Sequence, residues 1–270
     1  KNISLSVSSL RAYGLTDAML DEMSSVRNTS LTFAPEAGTQ RMRDVVNKNI
    51  SEEDIAKSAH RIFSRGWRKM KLYFMIGLPT EEEVDVRGIA DTGKRMLDIA
   101  REYLPKGRAN ITISASSHVP KPFTPFQWVA MDDIPEIEKK HQALRKWTRI
   151  PGLTFRWHDP TTSHIEGILS RGDRVLCDVV ETAWRNGARF DGWSDRLRFD
   201  LWMEAIEEHE IDRFRYLRTI PIDARLPWDH IDCGVEHKFL VREYQRALKD
   251  RTRNDARYRA GQRIRCGARL

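Results

Sequence analysis

The feature that most constrains the fold is an alternation of strand and helix patterns over about the first 160 residues. Short runs rich in β-branched and aromatic residues are separated by longer segments with apolar residues at helical spacing. Such an alternation is typical of a parallel sheet joined by right-handed crossovers. The sequence therefore predicts an α/β fold, either a doubly wound sheet or part of a (β/α) barrel. The predicted strands are 2–9, 30–35, 69–76, 109–116 and 153–159.

Helices are predicted between these strands from capping residues that precede apolar residues three and four positions apart. The longest helix is expected to run from a cap at Thr80 to about Tyr103. Its buried side is expected to carry Val84, Ile89 and Met96. The other helices are expected to begin at Thr16, Ser51 and either Asp132 or Asp133.

Beyond Pro160 the alternation gives way to mainly helical patterns with tryptophans between them. We therefore expect a first domain over residues 1–150, which carries the alternating pattern. A mainly helical C-terminal extension is expected over residues 151–270, with a basic tail from about residue 242.

The net charge of +7 is concentrated in that tail. Residues 242–270 contain ten Lys and Arg against three acids, which leaves 36 basic and 36 acidic residues in the rest of the chain. A solvated basic helix and a weak nucleic-acid contact both fit such a tail. The body of the protein shows no net preference for polyanions.

Composition points to a cytoplasmic protein with no membrane segment. No apolar run approaches the roughly 20 residues that a membrane span needs. Cys177, Cys233 and Cys266 form no CxxC pair, which is expected of a reducing compartment and predicts no metal site from local sequence. Because the chain has no initiator Met, we expect it to begin inside a larger protein.

Glycine, proline and acidic residues follow two strands abruptly, in "KLYFMIGLPTEEEV" and "SLTFAPEAG". The first strand is almost continuously apolar, which predicts that it is covered on both faces. In a structural interpretation, Gly77 relieves crowding and Thr80 with Glu81 caps the next helix. In a binding interpretation, Gly77 lets a planar ring lie against the strand backbone, while Glu36 accepts hydrogen bonds from a ribose or amino group. Parallel sheets bind ligands at these strand ends, and both interpretations stay open.

A second polar grouping consists of His158, Asp159, His164 and Glu166. All four residue types can bind metals, but no pair of histidines lies four residues apart on one helix face. A loop of hydrogen-bonded polar groups that ends in a helix cap is therefore favoured over a metal site.

A third polar grouping is the "RGDR" stretch, which contains Arg171, Asp173 and Arg174. Its alternating charges at an expected helix start favour a network of ion pairs. Contact with a substrate anion is the second interpretation, since arginine binds carboxylate and phosphate groups well.

Several stretches, read in order, carry a resemblance that spans nearly the whole chain. They are "SLTFAPEAGTQRMRDVVNK", "KLYFMIGLPTE", "SSHVPKPFTPFQW", "RWHDP", "RGDR", "GARFDGW" and "LPWDHIDCGV". Together they resemble the radical S-adenosylmethionine (radical SAM) enzymes, most closely a bacterial group in which a cobalamin-binding domain precedes the barrel. The resemblance implies that residues 1–150 form a partial TIM-like (β/α) barrel.

The resemblance also implies which residues bind the polar end of S-adenosylmethionine. An acid at the end of the fourth barrel strand commonly contacts the ribose or the methionine, and Glu36 occupies that position. A basic residue just beyond this strand often meets the methionyl carboxylate. Arg41 and Arg43 are the two candidates for that role.

The adenine end is implied in the same way. The glycine motif of the next strand presents its backbone to adenine, and it matches Met75, Ile76 and Gly77. The end of the following strand would flank the ring. The residues implied there are Ser114, Ser116 and Val119.

The family's CxxxCxxC loop, which holds a [4Fe-4S] cluster, does not occur in these 270 residues. The resemblance therefore implies a further N-terminal region with the cluster loop and a cobalamin-binding domain, and a chain that is catalytically silent alone. The intact protein would generate a 5′-deoxyadenosyl radical that abstracts hydrogen from an unknown substrate. The alternative is a non-catalytic nucleotide-binding or docking module, either a fragment or half of a split protein.

Overall fold

The computed structural model of the chain describes residues 16–26 and 30–249. The predicted strand at 2–9 and positions 250–270 of the predicted basic tail lie outside the described residues. Contacts divide the chain into two compact units. The described residues of the first unit are 16–26, 30–116, 139–157 and Lys249, and those of the second are 117–138 and 158–248.

A four-stranded parallel sheet forms the centre of the first unit. Its strands are neighbours in the order in which the chain makes them, and helices connect them. The predicted α/β class is therefore confirmed. The strands are β1 (Leu31–Glu36), β2 (Lys69–Ile76), β3 (Asn110–Ser117) and β4 (Leu153–Trp157).

The helices predicted between the strands are present, and a short helix that was not predicted follows β1, where Thr39 accepts a hydrogen bond from the Met42 amide. No helix of the described part is both long and apolar enough to cross a membrane. The helices are α1 (Asp17–Val26), α2 (Gln40–Val45), α3 (Glu52–Phe63), α4 (Glu83–Tyr103), α5 (Ile134–Trp147), α6 (Pro160–Ser170), α7 (Leu176–Arg185), α8 (Phe199–Glu208) and α9 (His237–Ala247).

The two faces of the sheet differ in burial. Alternate residues of β2 are fully buried, while the residues between them are only half-buried, so the prediction that β2 is covered on both faces is wrong. Helix α4 packs on the buried face, because a Cβ on Gly93 would collide with the Ile113 side chain. The half-buried face carries polar groups. Its members include Thr32, Lys71, Tyr73, Thr112 and Ser116.

Helix α4 begins later than the sequence predicted. Its N-cap is Glu82 rather than Thr80, and Asp85 accepts a hydrogen bond from the Glu82 amide at 2.8 Å. Val84 is 59% exposed, so its predicted burial is wrong, whereas Ile89 and Met96 are buried as predicted. Val84 lies five residues before Ile89 on the same helix, about 140° around its axis, so it falls outside the apolar stripe that contains Ile89 and Met96.

Helix α4 also contacts the loop after β1 through two glycines. A Cβ on Gly38 would collide with the Asp85 carbonyl oxygen and the Ile89 amide nitrogen. A Cβ on Gly88 would lie 2.8 Å from the Gly38 carbonyl carbon. The loop therefore rests directly on the helix backbone. This contact fixes the carboxyl end of β1 against the start of α4.

The second unit is mainly helical and has its own aromatic core. Six buried residues form a single cluster, and the indole Nε1 of Trp228 donates to the Gln127 side chain at 2.9 Å. The cluster joins the segment after β3 to α9 and to the loop before it. Its members are Trp128, Val129, Leu226, Trp228, Leu240 and Tyr244.

Arg171, at the C-terminal end of α6, lies in the second unit with 2% exposure. Its guanidinium group donates to backbone carbonyls rather than to carboxylates. Asp173 instead pairs with Arg215 at 2.6 Å, and Arg174 is exposed. The prediction of an ion-pair network among Arg171, Asp173 and Arg174 is therefore wrong.

Candidate functional site

Parallel pairing brings the ends of β1 and β2 to one edge of the sheet. Leu31 lies opposite Met70, and Glu36, the last residue of β1, lies opposite Phe74. Gly77 follows β2 directly. Glu36 and Gly77 thus lie at the carboxyl ends of neighbouring strands, where parallel sheets bind their ligands.

The end of β1 is irregular in a way that redirects Glu36. The register shifts between Phe33 and Glu36, so β1 contains one residue more than β2 over this stretch. Glu36 has a φ of 70°, a conformation uncommon for any residue but glycine. Its carboxylate pairs with Lys48 Nζ at 2.8 Å, and about a quarter of each side chain stays exposed. Bulges and strained residues of this kind are frequent beside binding sites.

At the end of β2, the buried carboxylate of Glu81 accepts a hydrogen bond from the backbone of the turn. Gly77 has a φ of 78°, and its amide donates to the Glu81 carboxylate at 2.8 Å. Glu81 also pairs with Lys140 Nζ of α5 at 2.6 Å, and the Glu81 side chain is only 4% exposed. The Gly77 amide is therefore already occupied by a group of the protein.

Arg41 links the two strand ends to each other. Its guanidinium group pairs with the buried Asp85 and donates to the Thr80 carbonyl at 2.9 Å. Thr80 has a φ of 66°, which is strained for a β-branched residue. The Arg41 side chain is 30% exposed, so part of it stays accessible at this edge.

Arg43, the other basic candidate, has a different environment. It is fully buried, and it donates to the carbonyls of Ile50 and Ala37 at 3.1 Å each. It also pairs with Glu52. These contacts are those of a residue that holds the loops around α2 together.

The end of β3 lies on the other side of β2. Ser114 is buried, and the half-buried Ser116 donates to the Phe74 carbonyl at 3.4 Å. Both belong to the first unit, as do the three residues Met75, Ile76 and Gly77. Val119 belongs to the second unit and is half-buried.

Near Val119, the second unit holds a buried histidine. His118 is 9% exposed, its Nδ1 has no hydrogen-bond partner among the described residues, and its ring packs edge-on against Phe126. Burial lowers the pKa of His118 to about 4, and the charges of Lys121 and Arg171 act in the same direction, while Asp132 opposes them. The histidine is therefore neutral in the folded protein at neutral pH.

We expect His118 to make the fold acid-sensitive. The unfolded chain takes up this proton below about pH 6.5, whereas the folded chain does so only near pH 4. Its contribution to stability is therefore complete above pH 6.5 and is lost as the pH falls toward 4. Between pH 7 and 5, wild type should lose on the order of 2 kcal/mol more unfolding free energy than His118→Leu.

Urea unfolding at several pH values measures this difference. The control is His158→Leu, because His158 is exposed. If His118→Leu and wild type lose the same unfolding free energy between pH 7 and 5, the assigned protonation state of His118 is wrong.

Three residues of the grouping His158, Asp159, His164 and Glu166 make separate structural contacts. Asp159 caps α6 by accepting from the Thr161 amide at 2.8 Å, and Glu166 pairs with Lys121. His164 packs edge-on against Phe199, and burial lowers its pKa. In the part of the chain that the structure describes, no three His, Cys, Asp or Glu residues are arranged to hold a metal ion.

The two lysines that pair with Glu36 and Glu81 at the edge of the sheet were not predicted from the sequence. Lys48 and Lys140 neutralise Glu36 and Glu81, from positions 12 and 59 residues along the chain. The acid four residues after Gly77 was a usable local signal, because a carboxylate there can reach back to the turn amide. The lysines gave no signal, since only the folded chain brings them close.

The chain is similar to a known protein whose activity is not characterised. No protein-family model matches the chain. An uncharacterised protein of Methanocaldococcus jannaschii is 33% identical over 179 residues, which are 66% of this chain and 37% of the relative. The chain thus matches well under half of that relative's length.

Proposed function

We propose that the chain is the S-adenosylmethionine-binding part of a radical SAM enzyme. One observation carries the proposal: Glu36 and the segment of Met75, Ile76 and Gly77 lie at the carboxyl ends of adjacent parallel strands. The resemblance assigns ribose or methionine contact to the first and adenine contact to the second. The sheet would then be part of a (β/α) barrel whose half-buried polar face points inward.

The donors and acceptors at this edge fit such a cofactor. Glu36 offers a partly exposed carboxylate, suited to hydroxyl or ammonium groups. Arg41 offers a partly exposed guanidinium group, suited to a carboxylate. Arg43 is fully buried, so Arg41 is the better candidate for the methionyl carboxylate.

The structure also limits which of the residues implied to contact adenine can supply polar groups to the ring. Because the Gly77 amide binds Glu81, the contribution of Gly77 is the absence of a side chain and the positive φ of the turn. Polar recognition of the ring falls to the neighbouring backbone and to Ser116, whose hydroxyl lies beside the Phe74 carbonyl. S-adenosylmethionine would supply the 5′-deoxyadenosyl radical, while these residues hold and orient it.

The cysteines of this chain do not fit a [4Fe-4S] cluster. Cys177 and Cys233 are exposed and belong to the second unit, and Cys266 lies outside the described residues. A cluster needs several thiolates in close proximity. The proposal therefore requires a CxxxCxxC loop from outside these 270 residues, and by resemblance a cobalamin-binding domain beside it.

Anaerobic reconstitution tests the proposal. We expect residues 1–270, treated with iron, sulfide, dithionite and S-adenosylmethionine, to give neither a 4Fe-4S absorption band nor 5′-deoxyadenosine. A longer product of the same gene that carries CxxxCxxC should give both, and Glu36→Gln in that product should reduce 5′-deoxyadenosine formation by about tenfold or more, as one charge-assisted hydrogen bond allows.

The control in the longer product is Glu53→Gln, since Glu53 is an exposed residue of α3. An in-frame upstream sequence without the cysteine loop would instead favour a non-catalytic nucleotide-binding or docking module. A loop-containing protein that binds a cluster but forms no 5′-deoxyadenosine would contradict the proposal.

A further inference from the structure

The second unit contains a cavity rich in cationic side chains. Its volume is about 460 Å³, within the range of small-molecule sites. Thr219 and Tyr216 are among the residues that line it. The arginines that line it are Arg171, Arg215, Arg218 and Arg225, and His230 adds an imidazole ring.

Arg171 supplies a buried positive charge to this cavity. It donates to the carbonyls of Tyr216 at 2.6 Å, of Val129 and Arg218 at 2.8 Å each, and of Gln127 at 3.3 Å. These bonds use four of the five N–H groups of a guanidinium. In the described residues no carboxylate pairs with Arg171, so its charge is not neutralised by the protein.

One wall of the cavity is held rigidly by backbone bonds. The Ile220 amide donates to the Trp128 carbonyl at 2.9 Å, and the Met131 amide donates to the Leu217 carbonyl at 2.8 Å. Together with the bonds from Arg171, they fix the backbone that carries Arg218. The side chain of Arg218 thus projects from a fixed base.

The other wall is anchored in the aromatic core. Leu226 and Trp228 are buried there, and the Leu226 amide donates to Asp229 at 2.7 Å. Arg225 and His230 flank this anchored turn and are exposed. Both walls are therefore formed before any ligand arrives, which reduces the entropic cost of binding.

The arginines that line the cavity outnumber the acids that line it. Asp173 pairs with Arg215 and accepts a hydrogen bond from the Tyr216 hydroxyl at 3.0 Å, which uses the carboxylate that lines the cavity. Within the described part of the chain, Arg218 and Arg225 make no ion pair. The lining of the cavity thus includes two guanidinium groups that make no ion pair within the described residues, in addition to the buried guanidinium of Arg171.

We propose that this cavity binds the phosphate group of a small phosphorylated metabolite. A phosphate monoester carries up to two negative charges on three oxygens, which matches several guanidinium groups better than a single carboxylate does. The volume suits a small molecule. None of the residues that line this cavity belongs to the sheet edge assigned to S-adenosylmethionine, so failure of this proposal would leave that assignment untouched.

Calorimetric titration of residues 1–270 with inorganic phosphate, at constant ionic strength, tests this site. We expect saturable one-site binding, and at least tenfold weaker binding in the double variant Arg218→Gln, Arg225→Gln. Arg196→Gln is the matched control, because Arg196 is exposed in the same unit and does not line the cavity. Since Arg218 acts structurally only through its backbone carbonyl, the double variant should keep the wild-type melting temperature.

Titrations with other ligands distinguish a phosphate site from a carboxylate site and from a nucleic-acid surface. Malonate at the same ionic strength should bind at least tenfold more weakly than phosphate, and equal binding would make this a carboxylate site instead. No saturable phosphate binding, or equal phosphate binding by the double variant, would overturn the site. A single-stranded RNA that loses binding in the double variant, while phosphate binding is unchanged, would show an ordinary basic nucleic-acid surface.

Discussion

Replacing Arg171 by leucine is expected to lower the free energy of unfolding by about 4 kcal/mol, because three carbonyl groups in buried hydrogen bonds and one in a part-buried hydrogen bond lose their donor. These carbonyls belong to two segments that are far apart in sequence, around Val129 and around Tyr216. Burial alone lowers the pKa of Arg171 to about 10, so the guanidinium stays charged at neutral pH. Its removal also relieves the cost of a buried charge, which offsets part of the loss.

Urea or thermal unfolding measures this effect. The matched control is Arg174→Leu, since Arg174 is exposed only three residues away and should change stability by about 0.5 kcal/mol or less. Arg171→Lys should fall between wild type and the leucine variant, because an ammonium group cannot reach four carbonyls at once. A loss below about 1 kcal/mol for Arg171→Leu would mean that water replaces the arginine at these carbonyls.

Gly38→Ala is expected to cost about 3 kcal/mol, near the upper end of typical overpacking effects. The added Cβ would collide with the Asp85 carbonyl oxygen and the Ile89 amide, which are backbone atoms and cannot move alone. Helix α4 would have to shift away from the loop after β1. That shift would also disturb the ion pair between Arg41 and Asp85.

The control for Gly38→Ala is Gly192→Ala, because a Cβ on Gly192 meets no atom within 4 Å. Gly88→Ala disrupts the same contact from the helix side, because its Cβ would lie 2.8 Å from the Gly38 carbonyl carbon. Once the helix has moved, the second alanine costs little, so the double variant should lose clearly less than the sum of the single losses. Strict additivity would show that the two glycines do not share one contact.

Local sequence signals predicted the elements of the first unit well. The bounds of β2 were predicted correctly at Lys69 and Ile76, because a glycine in a left-handed conformation ends an apolar run there. Ser51 was predicted as a cap, and the structure shows a capping box with Asp54. Both signals lie within a few residues of the boundary that they define.

Features that depend on distant residues were not predictable in this way. Arg41, which pairs with the Asp85 carboxylate at the start of α4, lies 44 residues earlier in the chain. Likewise, the partners of Arg171 are backbone carbonyls 42 to 47 residues away, and no sequence pattern marks a carbonyl. An ion pair with Asp173 was the local expectation, but Asp173 pairs with Arg215 instead.

We propose above that the carboxyl-terminal edge of β1, β2 and β3 binds S-adenosylmethionine. Methyl NMR measures it directly on residues 1–270 labelled at methionine and isoleucine, because weak binding suffices for chemical-shift changes. Met75 and Ile76 lie at the end of β2, and Met203 and Ile206 lie on α8 of the second unit as internal references.

On titration with S-adenosylmethionine, we expect saturable shifts of the Met75 and Ile76 methyl signals, with those of Met203 and Ile206 unchanged. Glu36→Gln should weaken this response, while Glu53→Gln should leave it intact. Shifts confined to the second unit, or no shift of Met75 and Ile76 at millimolar ligand, would show that this edge does not bind S-adenosylmethionine.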